Sequence, residues 1–368
     1  MTASRVVFDG MQLAVRHGAA RTVRYVLPEL ARFATDLDLV VLTTEEGREY
    51  LGPDVCESVI VPPMSNSAWE QIGLPWHARR AGAKALYTLR ALGPTWAPPT
   101  LLHFTDEPSD VASSGATATT SRERLVRLYQ RTLLGPGLHR AAVVATFTDT
   151  IAARLRQRYG NSLPGLEVIP LGVDMRTFYP DSAPTEDVIF HLGSWEPRDE
   201  TVAVVHAYAK ALQAAPDLPD LVIGGELARE GELALQAARS ASVENRVRFL
   251  GYVADSDLRS CFARAAFCVQ PSRYEGFGLM PLEAIACGAA LIATEEPAVR
   301  EVVRDGAVLV ANSDPGTIAG AMCRLWSEPS LRANLRLAGL ERAREFTWTS
   351  TAEKIHLLLQ RILAGSAM

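Results

Sequence analysis

Two glutamates eight residues apart, Glu275 and Glu283, stand in the run PSRYEGFGLMPLEAIACGAALIAT, residues 271–294. A buried strand from Ala266 to Gln270 should feed a loop holding Gly276 and Gly278, and then a helix beginning near Leu279 or Met280. Glycine lets backbone approach a ligand closely, and the first unbonded N–H groups of a helix form an anion site. Glu275 would lie just before that site, and Glu283 about one turn inside the helix on the same side. Amides facing a diphosphate, with a carboxylate on either flank for hydroxyls, suit a sugar nucleotide. The plain alternative is an ordinary strand–loop–helix with two surface acids. A lone GxG would leave that alternative open; this longer string weighs against it.

The elements that must carry these residues alternate along the whole chain, the pattern of parallel sheets covered by helices. In the first half RVVFD, LDLVVLTT (37–44), SVIV, TLLHF and AAVVAT read as strands, with helical stretches such as Ala20–Phe33 and Arg122–Leu134 between them. In the second half DVIFHLG, DLVIGG, RVRFLG, AAFCVQ, AALIAT and AVLV repeat the pattern. The boundary is best placed in VIPLGVDMRTFYP, residues 168–180, and FTWTSTAEKIHLLLQRIL (346–363) reads as an amphipathic helix.

At 368 residues the chain exceeds one typical core, so two domains of about 180 residues are expected. Apolar residues make up 48% and charged residues 21%, as in a globular protein, and a net charge of −5 gives no electrostatic case for nucleic acid. The five cysteines, Cys56, Cys261, Cys268, Cys287 and Cys323, show no metal-ligand spacing and suit buried thiols in a reducing compartment. The chain enters its first strand at Arg5 without the features of a signal peptide, and no apolar run is long enough to span a bilayer. A cytoplasmic location is expected.

The 271–294 run resembles the signature of the retaining glycosyltransferases of family 4, whose E-x7-E motif is matched by Glu275 and Glu283 with Gly276, Phe277, Gly278 and Leu279 between them. The resemblance implies the GT-B fold: α/β, with two Rossmann-like, doubly wound domains facing across a cleft. Residues 1–175 together with a returning helix at 350–368 would take the acceptor, and 176–349 the nucleotide-diphosphate sugar. It implies transfer of a hexosyl-type group to an acceptor hydroxyl with retention, needing no metal and no cofactor beyond that donor. Glu275 would hold the donor sugar, Glu283 the ribose, and the backbone between them the sugar and phosphates. Gly251, Tyr252 and Val253 would read the nucleobase edge while Leu258 packs on its face. Gly18, in RHGAARTVRYVLPELA (16–31), would lie beside the transferred sugar, and His103 would be an acceptor-side group near Asp106 and Glu107.

Two departures from the family pattern matter. In HLGSWEPRDE (191–200) Gly193, Glu196, Pro197 and Arg198 are kept, but Ser194 and Asp199 replace the arginine and lysine that clamp the donor diphosphate. A lysine ~4 Å from the leaving diphosphate contributes about 4 kcal/mol at an effective dielectric near 20. Each 1.36 kcal/mol is about tenfold in rate, so an efficient enzyme cannot simply lose the clamp. Arg198 or Arg273 could supply the charge; an atypical donor, or binding without catalysis, would also account for the change. With no general base in view, the acceptor proton would pass to the leaving phosphate. The second departure is the short stretch after Glu107, where the family's His-Asp pair is missing and GATATTS (115–121) is the only remnant.

Other classes remain open: a non-catalytic auxiliary subunit, or a sugar-nucleotide epimerase or phosphorylase on the same fold. Arg122, Arg124, Arg127 and Arg131, interrupted by Glu123, share one helix face. They could give weak peripheral contact with an anionic membrane, although a solvated face is the usual meaning of such spacing. The acceptor, whether small molecule, glycan or lipid, is not encoded in any motif.

Overall fold

Two separate parallel sheets account for the apolar runs of the sequence. The computed structural model describes residues 3–15, 18–52, 54–105, 121–181 and 188–365, with the backbone alone at 15, 18, 19 and 121–127. The chain divides between Gly172 and Val173 and again between Phe346 and Thr347, so the last helix belongs to the first unit.

In the first unit the strands are β1 (Ser4–Asp9), β2 (Leu37–Thr43), β3 (Glu57–Ile60), β4 (Ala85–Arg90), β5 (Thr100–Phe104), β6 (Val143–Thr146) and β7 (Leu166–Val168). Their order is β3-β2-β1-β4-β5-β6-β7, all parallel. Strand order reverses between β1 and β4, which is where a doubly wound sheet opens a crevice at its carboxyl ends. The sequence reading assigns no strand to Ala85–Arg90, yet β4 lies beside β1 in mid-sheet. Its pattern is masked by polar residues that belong to the interior: Thr88 and Arg90 both bond Asp9, at 2.9 and 2.6 Å.

Helix Gly18–Phe33 follows β1, and helix Trp348–Gly365 lies against it. The Tyr25 and Trp348 rings stack at 5.2 Å, Thr349 donates to Glu29 at 2.8 Å, and His356 meets Asp36 at 2.7 Å. Gly172 permits the crossing, since a Cβ there would sit 2.3 Å from the Trp348 nitrogen. Asp106, Glu107 and the 115–120 remnant lie outside the described residues, as do the side chains of Arg122, Arg124 and Arg127; Arg131 is exposed.

In the second unit β8 (Val188–Leu192), β9 (Asp220–Gly224), β10 (Val247–Gly251), β11 (Phe267–Gln270), β12 (Leu291–Thr294) and β13 (Ala307–Val310) form a sheet ordered β10-β9-β8-β11-β12-β13, again parallel. The central strands are covered on both faces, so they read as continuous apolar runs. Ile189, Phe267, Val269 and Ile292 pack with Val204, Tyr208 and Met322 from flanking helices. Each such side chain contributes about 1.5–3 kcal/mol by leaving water. Asp314 starts helix Pro315–Ser327 by accepting from the Gly316 and Thr317 amides at 2.8 and 3.0 Å. Among the described residues no helix is long and apolar enough to cross a membrane.

Candidate active site

The order of strands in the second unit reverses between β8 and β11. The loops that leave those two strands are the ones that hold Ser194–Glu200 and Arg273–Gly278. The topology therefore brings both singled-out segments to one switch point.

Close backbone packing forms the base of this site. Gly193 donates to the Gly224 carbonyl at 3.0 Å, and Gly225 to that of Gly251 at 2.7 Å. Gly225 has φ +114°, and a Cβ on it would fall 1.9 Å from the Gly193 carbonyl oxygen. Only glycine fits that crossing. His191, fully buried, ties β8 to its neighbours through Val269 O at 2.7 Å and Thr201 Oγ1 at 3.0 Å. Burial holds its pKa at about 4, so it is a neutral fastener. Sequence reading passed it over as one more residue of an apolar strand.

After β8, Pro197–Asp199 makes one 3-10 turn, and Glu200 takes φ +60° before helix Thr201–Ala214. A left-handed glutamate needs support. It has that support in an ion pair with Arg273, whose backbone N–H also bonds the Arg198 carbonyl at 2.9 Å. After β11 the loop is further fixed by Thr294, which donates to the Ser272 carbonyl at 2.5 Å.

Gly278, at φ +92°, opens helix Leu279–Ala286. Pro281 has no N–H, and Leu282 already bonds the Gly278 carbonyl at 3.1 Å. The helix ladder thus leaves the Leu279 and Met280 amides at its mouth. Glu275 stands ahead of this N-terminus and is partly exposed, whereas Glu283 lies in the helix at 3% exposure. Gly276 is half-buried and Phe277 buried beside Phe346, ring centres 5.7 Å apart.

Charge is where the site is unusual. Ser194 donates to Asp199 at 2.5 Å and accepts from the Glu196 amide at 3.1 Å. Asp199 is buried, which raises its pKa against the lowering effects of Ser194 and Arg198. Arg198 pairs with Glu196. Both candidate cations are therefore held by carboxylates of the β8 loop, Arg198 by Glu196 within its own loop and Arg273 by Glu200 across to it. Burial pushes Glu275 up to about 7; Arg198 opposes this, and the Asp199 and Glu296 charges add to it. Glu296 itself caps helix Pro297–Val303 through the Ala298 and Val299 amides, at 2.8 and 3.1 Å. Among the described residues no three His, Cys, Asp or Glu side chains could together hold a metal ion.

Along the rim, Gly251 has φ +70°, Tyr252 is exposed, Val253 half-buried and Leu258 buried in helix Asp255–Arg264. Trp195, 55% exposed in the loop after β8, was not singled out in the sequence. An indole between a glycine and charged residues in a turn was the available signal.

In the first unit Gly18 begins its helix. His103 is placed differently from the acceptor-side role expected of it. The side chain is fully buried on β5, bonded to the Tyr87 hydroxyl at 3.0 Å, with burial holding its pKa near 3. A strand-end histidine whose ring turns inward is a core group. Sequence reading also missed Asp9, which accepts from Trp69 (2.9 Å), Thr88 and Arg90 at the carboxyl end of β1. Glu70 lies next to that ion pair, and burial pushes its pKa up to about 7 against the pull of Arg90.

Residues 186–328 match the family model described as glycosyl transferases group 1. Among curated proteins, a D-inositol 3-phosphate glycosyltransferase of Nocardiopsis dassonvillei is 32% identical over 56% of this chain and 53% of its own length. The O-antigen chain mannosyltransferase B of Escherichia coli is 30% identical over 43% of this chain and 42% of its own length. The chain spans about half the length of such curated relatives. Among solved structures, a sucrose-phosphate synthase from Thermosynechococcus elongatus superposes with TM-score 0.79 at 18% identity, covering 98% of this chain and 100% of that one. Anabaena HepE in complex with UDP-glucose gives 0.76 at 16% identity, over 97% and 99%. The fold is GT-B, built of two α/β units with seven-stranded and six-stranded parallel sheets.

Proposed function

We propose that this chain, whose residues 186–328 match the glycosyl transferases group 1 model, moves a hexosyl-type group from a nucleotide-diphosphate sugar to an acceptor hydroxyl, with retention. The observation that carries this reading is the meeting of the two loops at the β8–β11 switch point, with the open helix mouth at Leu279 and Met280 between Glu275 and Glu283. The two helix-mouth amides face the diphosphate, Glu283 takes ribose hydroxyls, and Glu275 takes the sugar.

Arg198 is the principal cation for the diphosphate, and Arg273 the second. Both are paired in the free protein, but at partly exposed positions: Arg198 and Glu196 keep about a quarter of their side-chain surface and Arg273 half. Such pairs are worth ~0–1 kcal/mol, whereas a bidentate arginine–phosphate contact is a stronger, charge-assisted one. The exchange of Glu196 for phosphate therefore favours the ligand. The proton of the acceptor passes to the leaving phosphate, and the charge is met by arginine and amides without a metal. The five free thiols suit a reducing cytoplasm.

Release of nucleoside diphosphate from a panel of nucleotide sugars, with and without chelator, tests the reading. It stands if release occurs and survives chelation. A second reading has its own support: the buried Ser194–Asp199 bond puts an acid where the diphosphate needs a cation. On that reading the chain binds a donor and assists a partner enzyme, giving a nucleotide-induced rise in melting temperature without turnover.

A further inference from the structure

Among the described residues four that are not glycine take a positive φ: Glu200, Ala228, Ser242 and Arg304. Of these only Glu200 lies in the loops that meet at the β8–β11 switch point, and its backbone is left-handed, φ +60° and ψ +31°. A Cβ disfavours that conformation, and a residue stays in it where its surroundings hold it there. Helix capping is not the reason. Glu200 precedes helix Thr201–Ala214 yet makes no side-chain bond to the first amides of that helix. Its carboxylate reaches instead across to Arg273.

The two arginine pairs of the site differ in kind. Arg198 and Glu196 share one loop. Arg273 and Glu200 belong to different loops, and Glu200 is the buried member, its side chain 10% exposed against 50% for Arg273. Burial raises the Glu200 pKa against the pull of Arg273, and Glu230 and Asp199 add like charge. The backbone bonds of these loops do not use the Glu200 side chain. The Arg273 amide donates to the Arg198 carbonyl at 2.9 Å, the Glu200 amide to that of Pro197 at 3.2 Å, and the Val204 amide to that of Glu200 at 3.0 Å. A carboxylate in contact with a guanidinium cancels most of its field at any point farther away. Glu200 therefore subtracts from the attraction that Arg273 offers to a phosphate.

We propose that Glu200 is a positioning residue that holds Arg273 on the loop after β8 and so limits how tightly a nucleoside diphosphate is bound. This role rests on the donor-site reading proposed for the chain. A diphosphate gains Arg273 only by displacing Glu200, and the free diphosphate product leaves more readily when Glu200 takes the guanidinium back. Glutamine at this position keeps the shape of the side chain without its charge. Glycine removes the side chain and suits the left-handed backbone.

Titration calorimetry of the full chain with uridine, uridine monophosphate and uridine diphosphate, and with the guanosine and adenosine series, compares the wild type with Glu200→Gln and Glu200→Gly. In the series that binds, both variants should tighten the diphosphate about fivefold, the upper end for a partly exposed ion pair. The monophosphate should gain less, and the nucleoside should bind as before. A role confined to folding would not follow the number of phosphates. With Arg273→Gln as background, the gain from Glu200→Gln should shrink to about twofold or less, because the two side chains act as one unit. Glu200→Gly keeps the test valid where Glu200→Gln folds poorly, since glycine takes a positive φ freely. Unchanged or weaker diphosphate binding in both variants overturns the proposal, as does a gain undiminished without Arg273 or equal for nucleoside and diphosphate. If no diphosphate of the three series binds the wild type, the donor-site reading fails and this role with it. If one binds and both Glu200 variants leave it unchanged, this role alone fails.

Discussion

The Arg273 amide donates to the Arg198 carbonyl at 2.9 Å, joining the two loops that leave β8 and β11. With the Arg273–Glu200 ion pair across the same two loops, that bond brings the glutamate-bearing run and the Ser194–Glu200 loop together, with an arginine side chain on each. Each guanidinium is nonetheless paired with an acid of the β8 loop, Arg198 with Glu196 and Arg273 with Glu200. The site is built with its cations in place and its charge already compensated.

On the proposed function, a donor diphosphate has to compete with those acids. Arg198→Ala should abolish turnover, a loss of at least about a hundredfold if the contact is worth ~3 kcal/mol in the transition state. Asp199→Asn retains a partner for Ser194 and removes a negative charge, so it should leave turnover unchanged or raise it. Steady-state nucleotide release measures both. Loss of activity in Asp199→Asn would give Asp199 a positive role that the arrangement does not explain.

Protonation of Glu275 should govern the pH dependence of donor affinity. With a pKa raised to about 7, its carboxyl is largely protonated below that value and becomes an acceptor-only carboxylate, a stronger partner for sugar hydroxyls, above it. Affinity for a nucleotide sugar should improve between pH 6 and 8, and Glu275→Gln should flatten the profile. Titration calorimetry across that range reads the slope; identical slopes in the two proteins would contradict the assignment.

Glu70 predicts a stability change of defined sign. Its folded pKa, raised to about 7, lies above its ordinary value of 4.5. The folded state then binds more protons between those values, so its stabilising contribution is full below about pH 4.5 and is lost as pH rises through 7. The Glu275 carboxyl adds in the same direction. Melting temperature should fall across that window, and less steeply in Glu70→Gln. A parallel slope would show that Glu70 is already ionised in the fold.

Asp9 tests the interior of the first unit. Asp9→Ala leaves Arg90 buried without its partner, which costs ~3–5 kcal/mol. Denaturant unfolding should show that loss, and Asp9→Asn should recover part of it through the bonds from Trp69 and Thr88.

Much of this was legible in the sequence because the second sheet is covered on both faces. Its six strands stand out as apolar runs, and the glycines at 276 and 278 mark the strand-to-helix turn where the helix begins at Leu279. The first unit hid β4, since Thr88 and Arg90 look like surface residues until Asp9 is placed beside them. His103 misled for the converse reason: a polar residue at a strand end reads as a ligand group, but its ring turns into the core toward Tyr87. The pairing of Arg198 and Arg273 was also beyond reach, because it depends on a loop crossing set by glycine contacts such as Gly225 on Gly193.

The most direct test of the central claim is titration calorimetry of the full chain with uridine, guanosine and adenosine diphosphate sugars, repeated with Glu283→Ala. The account predicts that at least one of them binds with one-to-one stoichiometry and that Glu283→Ala weakens it by tenfold or more, about 1.4 kcal/mol. No binding by any of the three, or binding indifferent to Glu283, would contradict it.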